Sequence, residues 1–105
     1  MRCCSGELEF EWDDVKAAIN LLKHKISFMQ AKEVFNDPHA TRISADPGED
    51  GEERWLKTGT IEDVVSVITV VYTVRNNGKT IRLISARPAK KKEEKAYDDN
   101  KMQTR

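Results

Sequence analysis

The residues of this chain that could do chemistry begin just after Phe10. Lys16, Asn20 and Lys23 recur at helical spacing, and His24 follows directly. Residues three or four positions apart lie on one side of a helix, so two amines and an amide would share a face. Amines hold anions, and an imidazole, whose ordinary pKa is about 6.5, can take up or release a proton. The segment predicts an anion-binding helix that ends beside a proton-transfer group.

The same helix carries an apolar stripe made of Val15, Ala18, Ile19 and Leu22. We expect this stripe to pack on the core while the amines and the amide face solvent. Asp13 can cap the start of the helix, and its apolar period ends near His24.

The elements that must position this helix predict an α+β fold. Residues 7–12 alternate strictly between glutamates and large apolar side chains, which is typical of a half-buried strand. Ser27 and Gln30 have the spacing of a capping box, so they predict a second helix that ends at Asn36-Asp37-Pro38.

The second half of the chain predicts a meander of strands and a last helix. We expect a short strand at 40–43 within a polar segment, then strands at 54–60, 64–75 and 80–87, with a tight turn at Asn77-Gly78. Pro88 can occupy the first turn of a helix that runs to Asp98. The predicted order is β-α-α-β-β-β-β-α, a small antiparallel sheet flanked by helices, in a single domain 1–105 with an ordered core at about 7–98 and frayed ends.

Composition excludes some classes of function. The chain has 18 basic and 18 acidic residues, but residues 44–63 carry a net charge of minus five and residues 79–105 one of plus five. Opposite poles suit a polyanion on one face and a mixed partner on another, and a solvated acidic loop with a solubilising lysine tail is an equal alternative. Cys3 and Cys4 cannot readily pair with each other, and no apolar run is long enough to span a membrane, so we expect a cytoplasmic protein.

Several motifs together resemble the BrnT family of bacterial type II toxins, whose partners are BrnA antitoxins. The resemblance runs from about Phe10 to Tyr97. It rests on these residues: Phe10-Glu11-Trp12-Asp13, Lys16, Asn20, Lys23-His24, Ser27-Phe28, Phe35-Asn36-Asp37-Pro38, Gly51-Glu52-Glu53-Arg54-Trp55, Val71-Tyr72-Thr73, Arg82, Ile84-Ser85-Ala86-Arg87, Glu93 and Tyr97.

The resemblance implies a fold similar to the RelE ribonucleases and an RNA-cleaving activity that arrests translation. It also implies an antitoxin with a ribbon-helix-helix domain, so that DNA is contacted only through the antitoxin complex. No cofactor and no metal site are expected, because the sequence has no Cys/His ligand spacing and no phosphate-cradling glycine loop.

The chain departs from the family pattern in two places. Nine residues precede Phe10, whereas family members usually start close to this motif. Relatives also often have a histidine shortly before the Gly-Glu-Glu-Arg segment, where this chain reads Asp46-Pro47-Gly48-Glu49-Asp50.

Cleaving RNA without a metal needs a proton acceptor for the ribose 2′-hydroxyl, cations for the phosphate and a proton donor for the leaving oxygen. His24 could transfer protons, although a histidine at a helix end can instead serve as a cap. Lys23, Arg54 and Arg82 could hold the phosphate, and the alternative for the arginines is an ion pair with Glu52 or Glu53. Tyr72 could donate a proton, but its place in the strand alternation also fits the core. The predicted catalytic residues are Lys23, His24, Arg54, Arg82 and Tyr72.

Three further residues are predicted to contact RNA: Lys16, Asn20 and Arg87. Exposed lysines on a helix are often merely solvated, and Lys90, Lys91 and Lys92 fit either the RNA backbone or solvent. The rival hypothesis is a non-catalytic module that uses the same scaffold only to bind a partner protein.

Overall fold

The computed structural model describes residues 2–5, 8–45, 53–61 and 64–103 of the chain. These residues form one mixed sheet, with three α-helices and a short 3₁₀ helix around it. In chain order the elements are β1 Arg2–Ser5, β2 Leu8–Glu11, α1 Asp14–His24, α2 Phe28–Ala31, the 3₁₀ helix Lys32–Asn36, β3 Thr41–Ala45, β4 Arg54–Ile61, β5 Val64–Arg75, β6 Thr80–Pro88 and α3 Lys91–Gln103.

The structure confirms the predicted α+β class, but the pairing of the strands differs from the prediction. Its strand order is β1-β2-β6-β5-β4-β3. β2 pairs with β6 in parallel, through Glu9 with Thr80 and Glu11 with Arg82, whereas the other neighbours are antiparallel. The fully antiparallel sheet that we expected was therefore wrong, because α1, α2 and β3 to β5 separate β2 from β6 and return the chain in the same direction.

Local signals fixed the first two helices as predicted. The Asp13 carboxylate accepts hydrogen bonds from the backbone N–H groups of Val15 and Lys16, which begins α1. Lys25 then ends it in a left-handed conformation with φ of 61°. Ser27 and Gln30 form the predicted capping box at 3.0 Å in each direction.

The ends of the remaining elements differ in part from the prediction. The turn after β5 has positive φ at Asn76, Asn77 and Gly78, which confirms the tight turn. β1 pairs with β2, so the expectation of a frayed segment before Glu7 was wrong for residues 2–5. Pro88 is the last residue of β6 rather than the first turn of the last helix, since α3 begins at Lys91. Residues 46–52 of the predicted acidic loop lie outside the described residues.

The hydrophobic core lies between one face of the sheet and the helices α1, α2 and 3₁₀. We call this the core face, and its large side chains include Phe10, Val70, Tyr72 and Leu83. Edge-to-face ring contacts continue across the core, with Phe35 4.9 Å from Tyr72 and 5.2 Å from Phe10 between ring centroids. The opposite side, which we call the open face, is partly covered by α3.

Asp37 ties the 3₁₀ helix to β4 and α3. Its carboxylate accepts hydrogen bonds from the Thr60 backbone N–H and hydroxyl and from the Tyr97 hydroxyl, at 2.8, 3.0 and 2.8 Å. Burial favours the neutral acid, but these bonds and one from the His39 N–H outweigh it and lower the pKa of Asp37. Gly59 leaves room for this contact, because a Cβ there would lie 2.9 Å from the Asp37 carboxylate.

The orientation of α1 is the reverse of the one expected. Val15, Ile19 and Leu22 are 68, 56 and 74% exposed, whereas Asn20 is only 7% exposed. Ala17 packs against the core instead. The predicted packing stripe therefore faces outward, and the helix meets the sheet through a small side chain and an amide. Among the described residues, no helix is long and apolar enough to cross a bilayer.

Candidate functional site

A shallow depression between α1 and β6 gathers four of the predicted site residues. Its volume is about 190 Å³. Its lining residues are Lys16, Ile19, Asn20, Lys23, His24, Ile84 and Ser85. Lys16 and Lys23 are exposed and His24 is half-buried, so two ammonium groups and an imidazole border one concave surface. We call Lys16, Lys23 and His24 the helix group.

Asn20 builds this depression rather than offering its amide to a ligand. The amide nitrogen donates to the backbone carbonyls of Ile26 and Ala86, at 3.0 and 2.9 Å. The amide oxygen accepts from the Ala86 N–H at 3.1 Å and from the Ser85 hydroxyl at 3.3 Å. Two donors and two acceptor positions are all an amide has. The expectation that Asn20 is exposed was wrong, and the RNA contact predicted for it has no free hydrogen-bonding capacity to use.

Two of the predicted arginines lie on the open face of the sheet. Thr73 of β5 pairs with Arg82 of β6. Trp55 of β4 pairs with Tyr72 of β5, so Arg54 is next to Thr73 and points to the same face as Arg82, in one row across the sheet. Arg82 donates to the Glu11 carboxylate at 2.8 Å, and Arg75 lies 3.6 Å from the same oxygen. Among the described residues, the acidic partner of Arg82 is therefore Glu11. Among the described residues, no carboxylate pairs with Arg54.

Asp13 connects the helix group to this row. It caps α1 and lies close enough to Lys16 and Arg82 for both charges to act on it. The backbone N–H groups of Lys16 and Val15 lower the pKa of Asp13 most, and the two cations add to that effect. The start of α1 therefore lies within electrostatic range of Arg82.

Arg87 belongs to a structural network instead. Its guanidinium donates two hydrogen bonds to Glu93, at 2.8 and 2.9 Å. Glu93 also accepts from the Thr69 hydroxyl and from the Lys90 backbone N–H, at 3.0 and 2.8 Å. Chiefly through the bond from Arg87, the pKa of Glu93 falls to about 2 despite burial. This pair anchors the first turn of α3 on the open face, so the fork of Arg87 is already occupied.

Tyr72 lies in the core, as the alternative reading of its strand indicated. It is 2% exposed, and burial raises the pKa of its hydroxyl, an effect that the nearby charge of Arg42 partly offsets. The helix group lies against β6, whereas Tyr72 faces Phe35 inside the molecule. The structure does not bring Tyr72 together with Lys23 or His24.

One cationic cluster was missed by the sequence reasoning. Arg42 of β3 and Lys57 of β4 are directly opposite each other, next to Trp55 and Phe35. The sequence signal was the strand alternation of residues 54–61, which places Trp55 and Lys57 on one face. The strand that pairs with it was predicted only as a short segment at 40–43, so the sequence did not show that Arg42 lies opposite Lys57. Among the described residues, no group of three or more His, Cys, Asp or Glu side chains is arranged to hold a metal ion.

Comparison with known families gives one match. Residues 12–93, which are most of the 105-residue chain, match the family model described as the ribonuclease toxin BrnT of type II toxin-antitoxin systems. The matched segment contains the helix group, Arg54, Arg82, Arg87 and Glu93. No curated protein matches the chain closely enough to show a relationship.

Proposed function

Since the chain belongs to the BrnT family of ribonuclease toxins of type II toxin-antitoxin systems, we propose that it cleaves RNA endonucleolytically without a metal ion. In this proposal cleavage takes place in the cytoplasm and inhibits translation. A cognate antitoxin, carrying a ribbon-helix-helix domain, neutralises the chain and makes the only contact with DNA.

The observation that carries the catalytic proposal is the depression between α1 and β6. It combines the two kinds of group that the reaction requires, an imidazole and paired ammonium groups, around one concave surface. His24 would accept the proton of the ribose 2′-hydroxyl as that oxygen bonds to phosphorus, and would return a proton to the 5′-oxygen as its bond to phosphorus breaks. Lys16 and Lys23 would hold the phosphate as negative charge develops on it. Arg54 and Arg82 would bind the flanking strand of RNA from the open face.

Cleavage of a defined RNA by the purified protein, with a chelator present, tests this proposal. We expect His24→Ala to lower the rate by about 100-fold or more, since general acid or base assistance is worth roughly 10² to 10⁴ in rate. Lys79→Ala is the matched control, because Lys79 lies in the exposed turn between β5 and β6, away from the depression. RNA without 2′-hydroxyls should not be cut. Equal rates for His24→Ala and the natural chain would exclude His24 as the proton-transfer group.

A second candidate function is supported by the exposed apolar stripe of α1. Val15, Ile19 and Leu22 present large apolar side chains beside Lys16 and Lys23, which suits a protein partner with an apolar and acidic surface. Whether the chain is an enzyme or only a binding module, the antitoxin is that partner. If the natural chain binds the antitoxin but cuts no RNA, with or without ribosomes, the scaffold is a binding module and not an enzyme.

A further inference from the structure

Arg42 and Lys57 form a pair of like charges across the two strands at the far edge of the sheet. They are register partners in the antiparallel pair of β3 and β4, so both side chains leave the same face. Directly opposed residues of this kind have Cβ atoms about 4.5–5.5 Å apart, and like charges at that separation destabilise a sheet. The pairing therefore needs a physical reason.

Aromatic rings hold both cations in place. The Arg42 guanidinium carbon lies 4.6 Å from the centre of the Trp55 ring, and the Lys57 ammonium lies 4.9 Å from the centre of the Phe35 ring. Arg42 also lies close enough to the Tyr72 hydroxyl to lower its pKa. These contacts restrict the two side chains without neutralising their charge.

Neither cation has an acidic partner in the part of the chain that the structure describes. The arginines of the central strands differ in this respect, because Arg82 pairs with Glu11 and Arg87 with Glu93. Burial, and then the neighbouring Arg42, lower the pKa of Lys57. Two restrained cations that face each other without a carboxylate make a site prepared for an anion.

We infer that Arg42 and Lys57 bind a backbone phosphate of a single-stranded RNA. The inference rests on the proposed function, because it gives the RNA a second point of attachment apart from the helix group. β3 is an edge strand and Arg42 is exposed, so a nucleic acid strand can pass along it. Phosphate contacts of this kind position the strand and do not read its sequence.

The position of the site separates it from the catalytic depression. The helix group adjoins β6, whereas Arg42 and Lys57 lie on β3 and β4, with β5 between β4 and β6. An RNA held at both places would have its scissile phosphate at α1. The role of Arg42 and Lys57 is thus to position RNA, and no bond is made or broken at them.

Fluorescence anisotropy with a labelled single-stranded RNA tests the inference, using riboses methylated at the 2′-oxygen so that nothing is cut. We expect Arg42→Gln and Lys57→Met each to weaken binding by about 5- to 10-fold at low salt and to reduce the salt slope by about one. Lys79→Met is the matched control, since it removes an exposed lysine of the turn and should change affinity by less than about 2-fold. Thermal unfolding of each variant verifies that it is folded.

Two outcomes would overturn the inference. If the double variant binds this RNA as tightly as the natural chain, the cluster does not contact RNA. If inorganic phosphate at low millimolar concentration displaces the RNA, or binds with the same dependence on Arg42 and Lys57, the site is one for free phosphate. The proposed function is judged separately, because a protein that binds the methylated RNA through Arg42 and Lys57 but never cuts unmodified RNA would refute only the enzyme.

Discussion

Two pairs of cationic side chains on the sheet differ in whether the described residues place a carboxylate beside them. Arg82 and Arg87 of β6 point to the open face, where Glu11 and Glu93 accept their hydrogen bonds at 2.8 Å. Arg42 and Lys57 point to the other face, where aromatic rings surround them. The type of residue is similar in both sets. What distinguishes Arg87 from Arg42 and Lys57 is a carboxylate that occupies both of its terminal nitrogens.

A carboxylate partner determines whether an arginine of this chain can also bind a ligand. A guanidinium that already makes two hydrogen bonds to a carboxylate must give them up before it binds a phosphate, and that exchange gains little. Arg87 is in this position, because both of its terminal nitrogens donate to Glu93. In the described part of the chain, Arg42 and Lys57 have no carboxylate to give up when an anion arrives.

The largest expected effect comes from breaking the Arg87 pair. Arg87→Met leaves the Glu93 carboxylate, 10% exposed, without its main donor. We expect a loss of about 2–4 kcal/mol in the free energy of unfolding, measured by urea denaturation. Arg82→Met should cost less, about 0.5–1.5 kcal/mol, because its pair is more exposed and Arg75 stays near Glu11. Equal losses in the two variants would contradict the distinction drawn between these pairs.

A smaller effect should appear on acidification. The pKa of Glu93 in the folded chain is about 2, below its ordinary value of 4.5. A depressed carboxyl pKa stabilises the fold above pH 4.5 and loses that contribution as the pH falls towards 2. We expect about 2 kcal/mol to disappear in this range. In Arg87→Met the same titration should be flatter, and an unchanged acid profile would mean that other carboxyls dominate.

The smallest effect should have the opposite sign. Lys57→Met removes a half-buried ammonium whose pKa is lowered by burial, and it leaves Phe35 and its neighbours in place. We expect the variant to be more stable at neutral pH by about 0.5 kcal/mol. The difference should shrink as the pH rises through the lowered pKa, since the neutral amine no longer disfavours the fold. A clear loss of stability, absent in Lys79→Met, would show that the contact between Lys57 and Phe35 holds the fold together.

Capping and turn signals predicted the local elements well. Asp13, Ser27 with Gln30, and Asn77-Gly78 each act within a few residues, so the sequence contains all the atoms that decide the outcome. The strands from β4 to β6 follow in the same way from apolar alternation. Membership of a toxin family was also visible from the combined motifs, and the match to residues 12–93 confirms it.

Contacts between distant residues could not be predicted in this way. Arg82 and Glu11 are 71 positions apart and meet only because β2 and β6 are parallel. Arg42 and Lys57 meet through the register of β3 and β4, which local patterns in the sequence do not set. The orientation of α1 was predicted wrongly for a related reason. An apolar stripe on a helix predicts that the stripe is buried, but in α1 Asn20 is buried instead because it finds backbone hydrogen-bond partners. The catalytic roles of Lys23, His24, Arg54 and Arg82 stay predictions.

The hydrogen bonds of Asn20 also bear on whether this protein aggregates. β2 accompanies β6 only from Thr80 to Arg82, so the following residues of β6 form an open edge on that side. At Ala86 the amide of Asn20 fills the place of a neighbouring strand by bonding both its N–H and its carbonyl. An unpaired edge is a template on which another chain can add a strand and begin aggregation. Asn20 therefore closes this part of the edge to strand addition by a second copy of the chain.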